Sequence, residues 1–275
     1  MRENRLSGLT RGGEVPEELT TTVGLILIGT SLPTLLKLPG LGSESLLLIM
    51  NAINPPSAPP FVAEDVYRAY LDGLLANNRE QCRACFQQWM DAEPDLLSLY
   101  EDLVQRSLYE VGELWERNQI SVATEHLATA ISEGLLNLAY PRIFATPRKG
   151  KSAVVTCVAN EHHQIGGKMV ADLFEFHGWR GYFLGANTPV RDVISLIGDK
   201  RADVVALSVA IASGLATVIT AATEIRAAFP DVPILVGGQA LRWGGSERLE
   251  RIPGVRCLAS LRGLATWLKE NENHV

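Results

Sequence analysis

The segment CVANEHHQIGG (157–167) concentrates side chains that can bind a metal ion or a cofactor. An apolar run ends at its start, Glu161, His162 and His163 follow, and two glycines close it. Neutral imidazole is a suitable ligand for borderline metal ions, and a nearby carboxylate can fix the tautomer and basicity of the ring. Glycines let a bulky guest approach the backbone closely. The segment therefore predicts a ligand site, with His162 expected to face solvent.

The part of the chain that carries this segment alternates between strand and helix patterns. Five short β-rich runs, SAVVTCV, RGYFLG, DVVALSV, PILVGG and VRCLAS, are separated by helical stretches from residue 152 onward. Such alternation predicts βαβ units and a parallel sheet with helices on both faces. We expect a flavodoxin-like, doubly wound, five-stranded α/β domain, whose ligand crevice lies beyond the carboxyl ends of the strands.

Three loops of this predicted domain carry polar or glycine residues to the crevice. They are Glu161, His163 and Gly166 after the first strand, Ser208 after the third, and Gly237 and Gly238 after the fourth. Because the carboxyl ends of parallel strands share one edge of a sheet, we expect the three loops to converge on one site.

A helical bundle is predicted ahead of the α/β domain. Between residues 61 and 142 apolar side chains recur at three- and four-residue spacing, which indicates three or four helices in a small antiparallel bundle. The proline-rich stretch INPPSAPP (53–60) is typical of a linker. We therefore divide the chain into an unassigned apolar and proline-rich segment (1–60), a helical bundle (61–148) and the α/β domain (149–275).

The composition narrows the class of function. With a formal net charge of −6, the chain lacks the basic surface that is typical of nucleic-acid binders. Cys82 and Cys85 form a CxxC, but a structural zinc site needs four ligands and no second pair exists, so we interpret both as ordinary helix positions.

Prolines, glycines and charges interrupt the apolar stretch 23–50, which argues against a membrane span. Few cysteines and no apparent signal peptide favour a cytoplasmic location.

The motif Glu161-x-His163-x-x-Gly166, the serine after the third strand and the Gly-Gly pair after the fourth resemble those of cobalamin-binding domains, over about residues 150–270. The resemblance implies that cobalamin binds with its own nucleotide base detached, and that His163 replaces that base as the lower ligand of cobalt. It also implies that Glu161 hydrogen-bonds His163 and that Ser208 hydrogen-bonds the buried base. The family often has Ser-x-Leu or Ser-x-Thr where this chain has Ser208-Val209-Ala210, so we expect a thinner contact there.

The helical part extends the resemblance. In WERNQISVATEH, Trp115 is followed by nine residues and then by Glu125-His126, which looks like the W-x9-EH motif of CarH-like adenosylcobalamin photoreceptors. That family implies a bundle that caps adenosylcobalamin with Trp115, Glu125 and His126. It further implies that green or blue light breaks the cobalt–carbon bond and that His126 then becomes the upper cobalt ligand. A change in conformation or oligomeric state would follow, with no catalytic turnover of a metabolite.

The front of the chain departs from that family, whose regulators begin with a MerR-type winged-helix DNA-binding domain. Residues 1–60 show no basic helix-turn-helix pattern, so direct DNA binding is not carried over to this chain. The partners implied are cobalamin, further copies of the chain in a homo-oligomer, and a regulatory protein that takes the signal to transcription.

Other functions share parts of these patterns. A corrinoid methyl carrier of a methyltransferase system has the same two-domain plan and lower-ligand motif, but it needs an uncovered upper face. A cofactor-free interaction module has no use for the full His163 motif, and a cobalamin mutase needs a large substrate barrel for which no segment is long enough. Ordinary structural roles are also alternatives: Trp115 as a core aromatic, Glu125 as a first-turn helix charge and Ser208 as a turn residue.

Overall fold

The computed structural model describes residues 63–92 and 95–271, which lie in one compact unit. A helical part comes first and a five-stranded parallel sheet with flanking helices follows, so the predicted fold class is confirmed. The assignments made for residues 1–60 lie outside the described residues. Among the helices of the described part, none is both long and apolar enough to cross a membrane.

The helical part buries the apolar stripes that the three- and four-residue spacing predicts. Its core contains Tyr67, Tyr70, Phe86, Leu99 and Leu103, each fully buried. The elements are α1 (Glu64–Leu75), α2 (Arg79–Asp91), α3 (Leu96–Ser98), the π-helical stretch Leu99–Gln105, α4 (Arg106–Glu116), α5 (Val122–Leu136) and, after a 3₁₀ turn, α6 (Tyr140–Ile143).

The CxxC of α2 is built into this core. Cys82 and Cys85 are both buried free thiols on the inward face of the helix. Their burial among the apolar side chains of the bundle agrees with the interpretation of the pair as ordinary helix positions.

The sheet has the strand order β2-β1-β3-β4-β5, with all neighbouring strands parallel. Its topological switch point lies between β1 and β3, where doubly wound folds bind ligands. The elements are β1 (Ser152–Cys157), α7 (Ile165–Phe176), β2 (Arg180–Phe183), α8 (Val190–Lys200), β3 (Val204–Ser208), α9 (Leu215–Ala228), β4 (Ile234–Gly237), α10 (Ser246–Glu250), β5 (Val255–Leu258) and α11 (Leu261–Glu270). The predicted boundary at 148/149 falls between α6 and β1 and stays a prediction.

The two faces of the sheet belong to different cores because successive strand residues point to opposite sides. Ala153 and Val155 of β1 pack with α7, α11 and the helical part, whereas Val154 packs with α8 and α9. The bundle therefore shares a continuous apolar core with one face of the sheet, on the side of α7 and α11.

A buried polar network reinforces this shared core. The Tyr100 hydroxyl, in the π-helical stretch, donates to Asp172 Oδ2 of α7 at 3.0 Å. The Lys168 ammonium donates to the same oxygen at 3.0 Å and to the Tyr140 hydroxyl of α6 at 2.7 Å. Nearer the surface, Arg262 of α11 pairs with two adjacent carboxylates of the π-helical stretch. These contacts fix the position of the bundle on α7 and α11.

Candidate cobalamin-binding site

A tight turn between α4 and α5 brings Trp115 and the first turn of α5 to one end of the bundle. Asn118 has a left-handed backbone (φ +57°), and its N–H donates to the Trp115 carbonyl at 2.8 Å, while the Gln119 N–H donates to the Leu114 carbonyl at 2.9 Å. This pair of bonds closes the end of α4. Ser121 then caps α5, because its hydroxyl accepts from the Thr124 N–H at 3.2 Å. This short turn therefore places Trp115 and Glu125-His126 at the same end of the bundle.

The helix α5 has two distinct faces. Ala128, Ile131, Ser132 and Leu136 are buried in the bundle. The other face follows helical spacing through Val122, Glu125, His126, Thr129 and Glu133. We call these five residues the cap face of α5.

Glu125 contacts two other side chains of the cap face near the start of α5. Its carboxylate accepts from the Thr129 hydroxyl at 3.0 Å and lies 2.5 Å from His126 Nδ1. The His126 side chain is 74% exposed, so its ring is held at one nitrogen and open to solvent. Val122 is 49% exposed and adds apolar surface to the cap face. The sequence pattern did not identify it, since an apolar side chain in the first turn of a helix is usually interpreted as part of the core. Trp115, at 45% exposure, is likewise too open for a purely core role.

Opposite the bundle, Glu161 joins the loop after β1 to the loop after β3. The side chain is only 1% exposed. One carboxylate oxygen accepts from the His163 N–H at 2.9 Å and lies 2.6 Å from His163 Nδ1. The other oxygen accepts from the Ala210 and Ile211 N–H groups at 2.7 and 3.2 Å. The predicted Glu161–His163 hydrogen bond is therefore present, and two backbone donors that sequence reasoning missed complete it.

These bonds determine the charge of both groups. Burial opposes ionisation of Glu161, but the hydrogen bonds from His163, Ala210 and Ile211 outweigh it and lower its pKa to about 2. The hydrogen bond with Glu161 raises the pKa of His163 against the effect of burial, and the negative charge of Glu125 raises it further. Glu125 of the cap face is therefore within electrostatic reach of His163. The structure brings the W-x9-EH and ExHxxG motifs toward one another across the crevice.

The donor set at His163 fits the cobalt of cobalamin. Glu161 binds Nδ1, which leaves Nε2 as the atom for a metal, and within the described residues Nε2 makes no hydrogen bond. The His163 side chain is 54% exposed. His162 is exposed, as expected. The role of His163 as the lower ligand stays a prediction.

Small residues let α7 start directly over the ends of β1 and β3. A Cβ at Gly166 would lie 3.7 Å from Ser208 Oγ, and one at Gly167 would lie 3.1 Å from Cys157 Sγ. Ser208 is 8% exposed beneath this first turn of α7. Gly166 and Ser208 are thus brought together, next to the loop that carries His163.

The Gly-Gly pair after β4 has a structural explanation of its own. Gly238 has φ +120°, and a Cβ there would lie 2.1 Å from the Val209 carbonyl oxygen. Glycine at 238 is therefore required for the β4 loop to pack on the β3 loop, whether or not a ligand is bound. Gly237 ends β4, with its ideal Cβ 3.4 Å from the Leu258 carbonyl oxygen. The predicted contact of both glycines with cobalamin stays a prediction.

A cavity of about 550 Å³ lies beside the cap, between the bundle and the loops after β4 and β5. Leu114 and Arg117, the neighbours of Trp115, line one end, and Arg242, Ser260 and Arg262 line the other side. None of the predicted site residues lines it. This cavity is therefore distinct from the predicted site residues.

Comparison with known proteins identifies both parts. Residues 151–259 match the B12 binding domain family, and residues 66–139 match a second family that bears the same description. The chain is 32% identical over 124 residues to the HTH-type transcriptional repressor CarA of Myxococcus xanthus, and this alignment covers 45% of this chain and 43% of CarA. It is 29% identical over 148 residues to the HTH-type transcriptional repressor CarH of the same organism, and this alignment covers 53% of this chain and 48% of CarH.

The aligned region spans less than half the length of either repressor. The fold is similar to that of the Methanosarcina barkeri monomethylamine corrinoid protein, with a TM-score of 0.64 over 76% of this chain and 100% of that one. At 14% identity this likeness concerns the fold alone. The two family matches and the similarity to CarA and CarH agree with the motifs and with the donor chemistry at His163. The chain contains both B12-binding modules, which supports cobalamin binding, and it is similar to CarA and CarH over the part that carries them.

Proposed function

We propose that the protein is an adenosylcobalamin-dependent light sensor that signals through a change in conformation or oligomeric state. The observation that carries the proposal is the 2.8 Å hydrogen bond from Gln164, the residue after His163, to Glu133 of the cap face, and the charge of Glu125 on the same face contributes to the raised pKa of His163. A cap face with an exposed histidine thus lies opposite the predicted lower ligand, as a covered upper face requires. When bound, adenosylcobalamin would supply a cobalt–carbon bond that light breaks.

The other roles in this proposal belong to named residues of the α/β module and of the helical bundle. His163 would hold the cofactor's cobalt through Nε2, and Glu161 fixes the ring and its tautomer through Nδ1. Trp115 and Val122 offer exposed apolar surface that covers the upper ligand and excludes water. His126, bonded to Glu125 through Nδ1, keeps Nε2 open and would supply a second imidazole ligand to cobalt after illumination. A helix that changes its ligation in this way biases the arrangement of the bundle on the α/β module.

The output of the sensor is regulatory in this proposal, with no turnover of a metabolite. CarA and CarH are named as transcriptional repressors, and this chain aligns with less than half of each. We propose that the signal passes through self-association of the chain or through a regulatory protein partner. The acidic character of the chain, with its net charge of −6, favours a protein partner over DNA.

A visible absorption spectrum before and after green light tests the proposal. The purified protein is loaded with adenosylcobalamin in darkness, and size-exclusion chromatography follows each spectrum. We expect a bound dark spectrum that converts to a stable cobalt(III) spectrum with two imidazole ligands, together with a change in elution volume. A bound spectrum that does not respond to light would contradict light sensing. Methyl transfer to or from the protein by a partner enzyme would then favour a corrinoid methyl carrier.

A further inference from the structure

One hydrogen bond joins the cap helix directly to the loop of the predicted lower ligand. The Gln164 side-chain amide donates through Nε2 to Glu133 Oε1 at 2.8 Å. Gln164 is the residue after His163, and its carbonyl accepts from the Lys168 N–H at 2.9 Å at the start of α7. Glu133 lies on the cap face of α5. Within the described residues, this is the side-chain hydrogen bond that connects α5 with the β1–α7 loop.

The position of Glu133 along α5 relates this bond to His126. The two residues are seven positions apart, which is nearly two helical turns, so they lie on the same face and about 10 Å apart along the axis. The hydrogen bond is thus tied to His126 through a rigid helix on one side. On the other side it is tied to His163 through one peptide unit.

The Gln164 side-chain amide lies close to the backbone of Gly185. A Cβ at Gly185, in the loop after β2, would lie 3.3 Å from Gln164 Oε1. Gly185 has φ +77°, and its carbonyl accepts from the Cys157 N–H at 3.0 Å, so this loop is anchored to the end of β1. The amide that donates to Glu133 therefore lies beside a loop that is anchored to β1.

We propose that the Glu133–Gln164 hydrogen bond sets the separation of α5 from the His163 loop and thereby positions His126 over the cobalt site. This inference rests on the proposed function, because it assigns Glu133 and Gln164 as positioning residues for ligation by His126. Neither residue touches the cobalt. The contacts of Tyr100 and Arg262 fix the bundle on α7 and α11. The Glu133–Gln164 bond instead fixes the distance between the cap face of α5 and the loop that carries His163.

Two substitutions of Glu133 separate positioning from folding. Glu133→Gln keeps an oxygen that accepts from Gln164, whereas Glu133→Ala removes the acceptor. Glu224→Ala removes an exposed glutamate from the middle of α9 and serves as the matched control. Each variant is loaded with adenosylcobalamin in darkness and illuminated, and hydroxocobalamin is added to a second sample in the dark to offer His126 an exchangeable upper position.

We expect Glu133→Ala to keep the dark spectrum of His163 ligation but to form the two-imidazole spectrum about tenfold more slowly, both after light and with hydroxocobalamin. Glu133→Gln and Glu224→Ala should stay close to the parent protein. In the cofactor-free protein, hydrogen exchange at the first turn of α5 should become faster in the alanine variant alone. Equal rates for the parent and Glu133→Ala would overturn the proposal, and so would loss of the dark spectrum in parallel with the product.

The two samples also separate this inference from the proposed function. If the parent protein ignores light but ligates hydroxocobalamin through His126, the light-sensing function fails and the rates with hydroxocobalamin still test the role of Glu133. If the parent responds to light and Glu133→Ala matches it, the function stands and the positioning role is wrong.

Discussion

His163 and Ala210, which are 47 residues apart, are bound to the same carboxylate. Glu161 accepts from the Ala210 N–H at 2.7 Å with one oxygen and contacts His163 Nδ1 at 2.6 Å with the other. The orientation of the predicted lower ligand is therefore coupled to the loop after β3. A carboxylate buried to this extent is stable only because every contact is to a donor.

Replacing Glu161 should weaken the cofactor-free fold in a pH-dependent way. Its pKa is lowered to about 2, so its contribution to stability is present above the unfolded value of about 4.3 and is lost as the pH falls through the folded value. For Glu161→Gln we expect a loss of about 3 kcal/mol at pH 5.5 that shrinks to about half at pH 3. In this window His163, whose folded pKa is raised, stays protonated in both states. Urea unfolding at each pH measures the difference.

The matched control for that experiment is Glu224→Gln, which changes an exposed glutamate on α9. It should leave the free energy of unfolding unchanged at both pH values. A Glu161→Gln variant whose deficit is the same at pH 5.5 and pH 3 would show that the carboxylate is not held ionised by its donors.

His126→Ala should separate dark binding from the light response. The His126 ring is 74% exposed and contacts Glu125 on its own helix, so its loss leaves the bundle core and the His163 loop intact. We expect unchanged dark binding of adenosylcobalamin and no stable two-imidazole spectrum after green light. Visible spectra recorded before and after illumination check both points, and a photoproduct identical to that of the parent protein would rule out His126 as the upper ligand.

The buried network at the bundle interface predicts unequal costs for two substitutions. Asp172→Ala would leave the Lys168 ammonium, 10% exposed, without its carboxylate, which costs about 3–5 kcal/mol when a buried ion pair is broken. Tyr100→Phe removes one hydrogen bond to Asp172 while the lysine stays paired, and we expect about 1–1.5 kcal/mol. Urea denaturation of the cofactor-free protein compares them. Equal losses would mean that the ion pair does not stabilise the interface more than the tyrosine does.

Thiol labelling checks the assignment of the cysteines as structural. Burial raises the pKa of Cys157 to about 12, with a further contribution from the charge of Glu161, and burial raises that of Cys82 to about 11. At pH 8 iodoacetamide should modify the half-buried Cys257 well before Cys82, Cys85 or Cys157. Peptide mass spectrometry after timed quenching gives the order. Fast labelling of Cys82 and Cys85 would instead indicate an accessible, reactive CxxC.

The elements that local pattern specifies were predictable, and contacts between distant residues were not. The alternation of β-rich and helical runs predicts β1 to β5 in their observed order along the chain, and W-x9-EH predicts the turn around Asn118. The π-helical stretch Leu99–Gln105 was expected as ordinary helix, because periodicity reports the buried face and not the backbone bonding. Pro141 lies in the first turn of α6, where proline is tolerated, so the residue alone does not show on which side of it a helix lies.

The candidate site shows the same division. ExHxxG indicates the Glu161–His163 bond because both residues lie in one loop, whereas the donors at Ala210 and Ile211 come from a loop that is distant in sequence. Gln164 and Glu133 are 31 residues apart and belong to different modules, so no local pattern connects them. Their contact depends on how the bundle packs on α7.

Electron paramagnetic resonance of the cob(II)alamin-loaded protein tests the central claim, that His163 binds cobalt from below in place of cobalamin's own base. Protein labelled with ¹⁵N-histidine is loaded with unlabelled cofactor and reduced, and the splitting of the cobalt lines by the axial nitrogen is recorded. The account predicts doublets from a ¹⁵N imidazole, and their loss in His163→Ala. Triplets in the labelled protein would show that the cofactor's own ¹⁴N base is the ligand and would contradict the account.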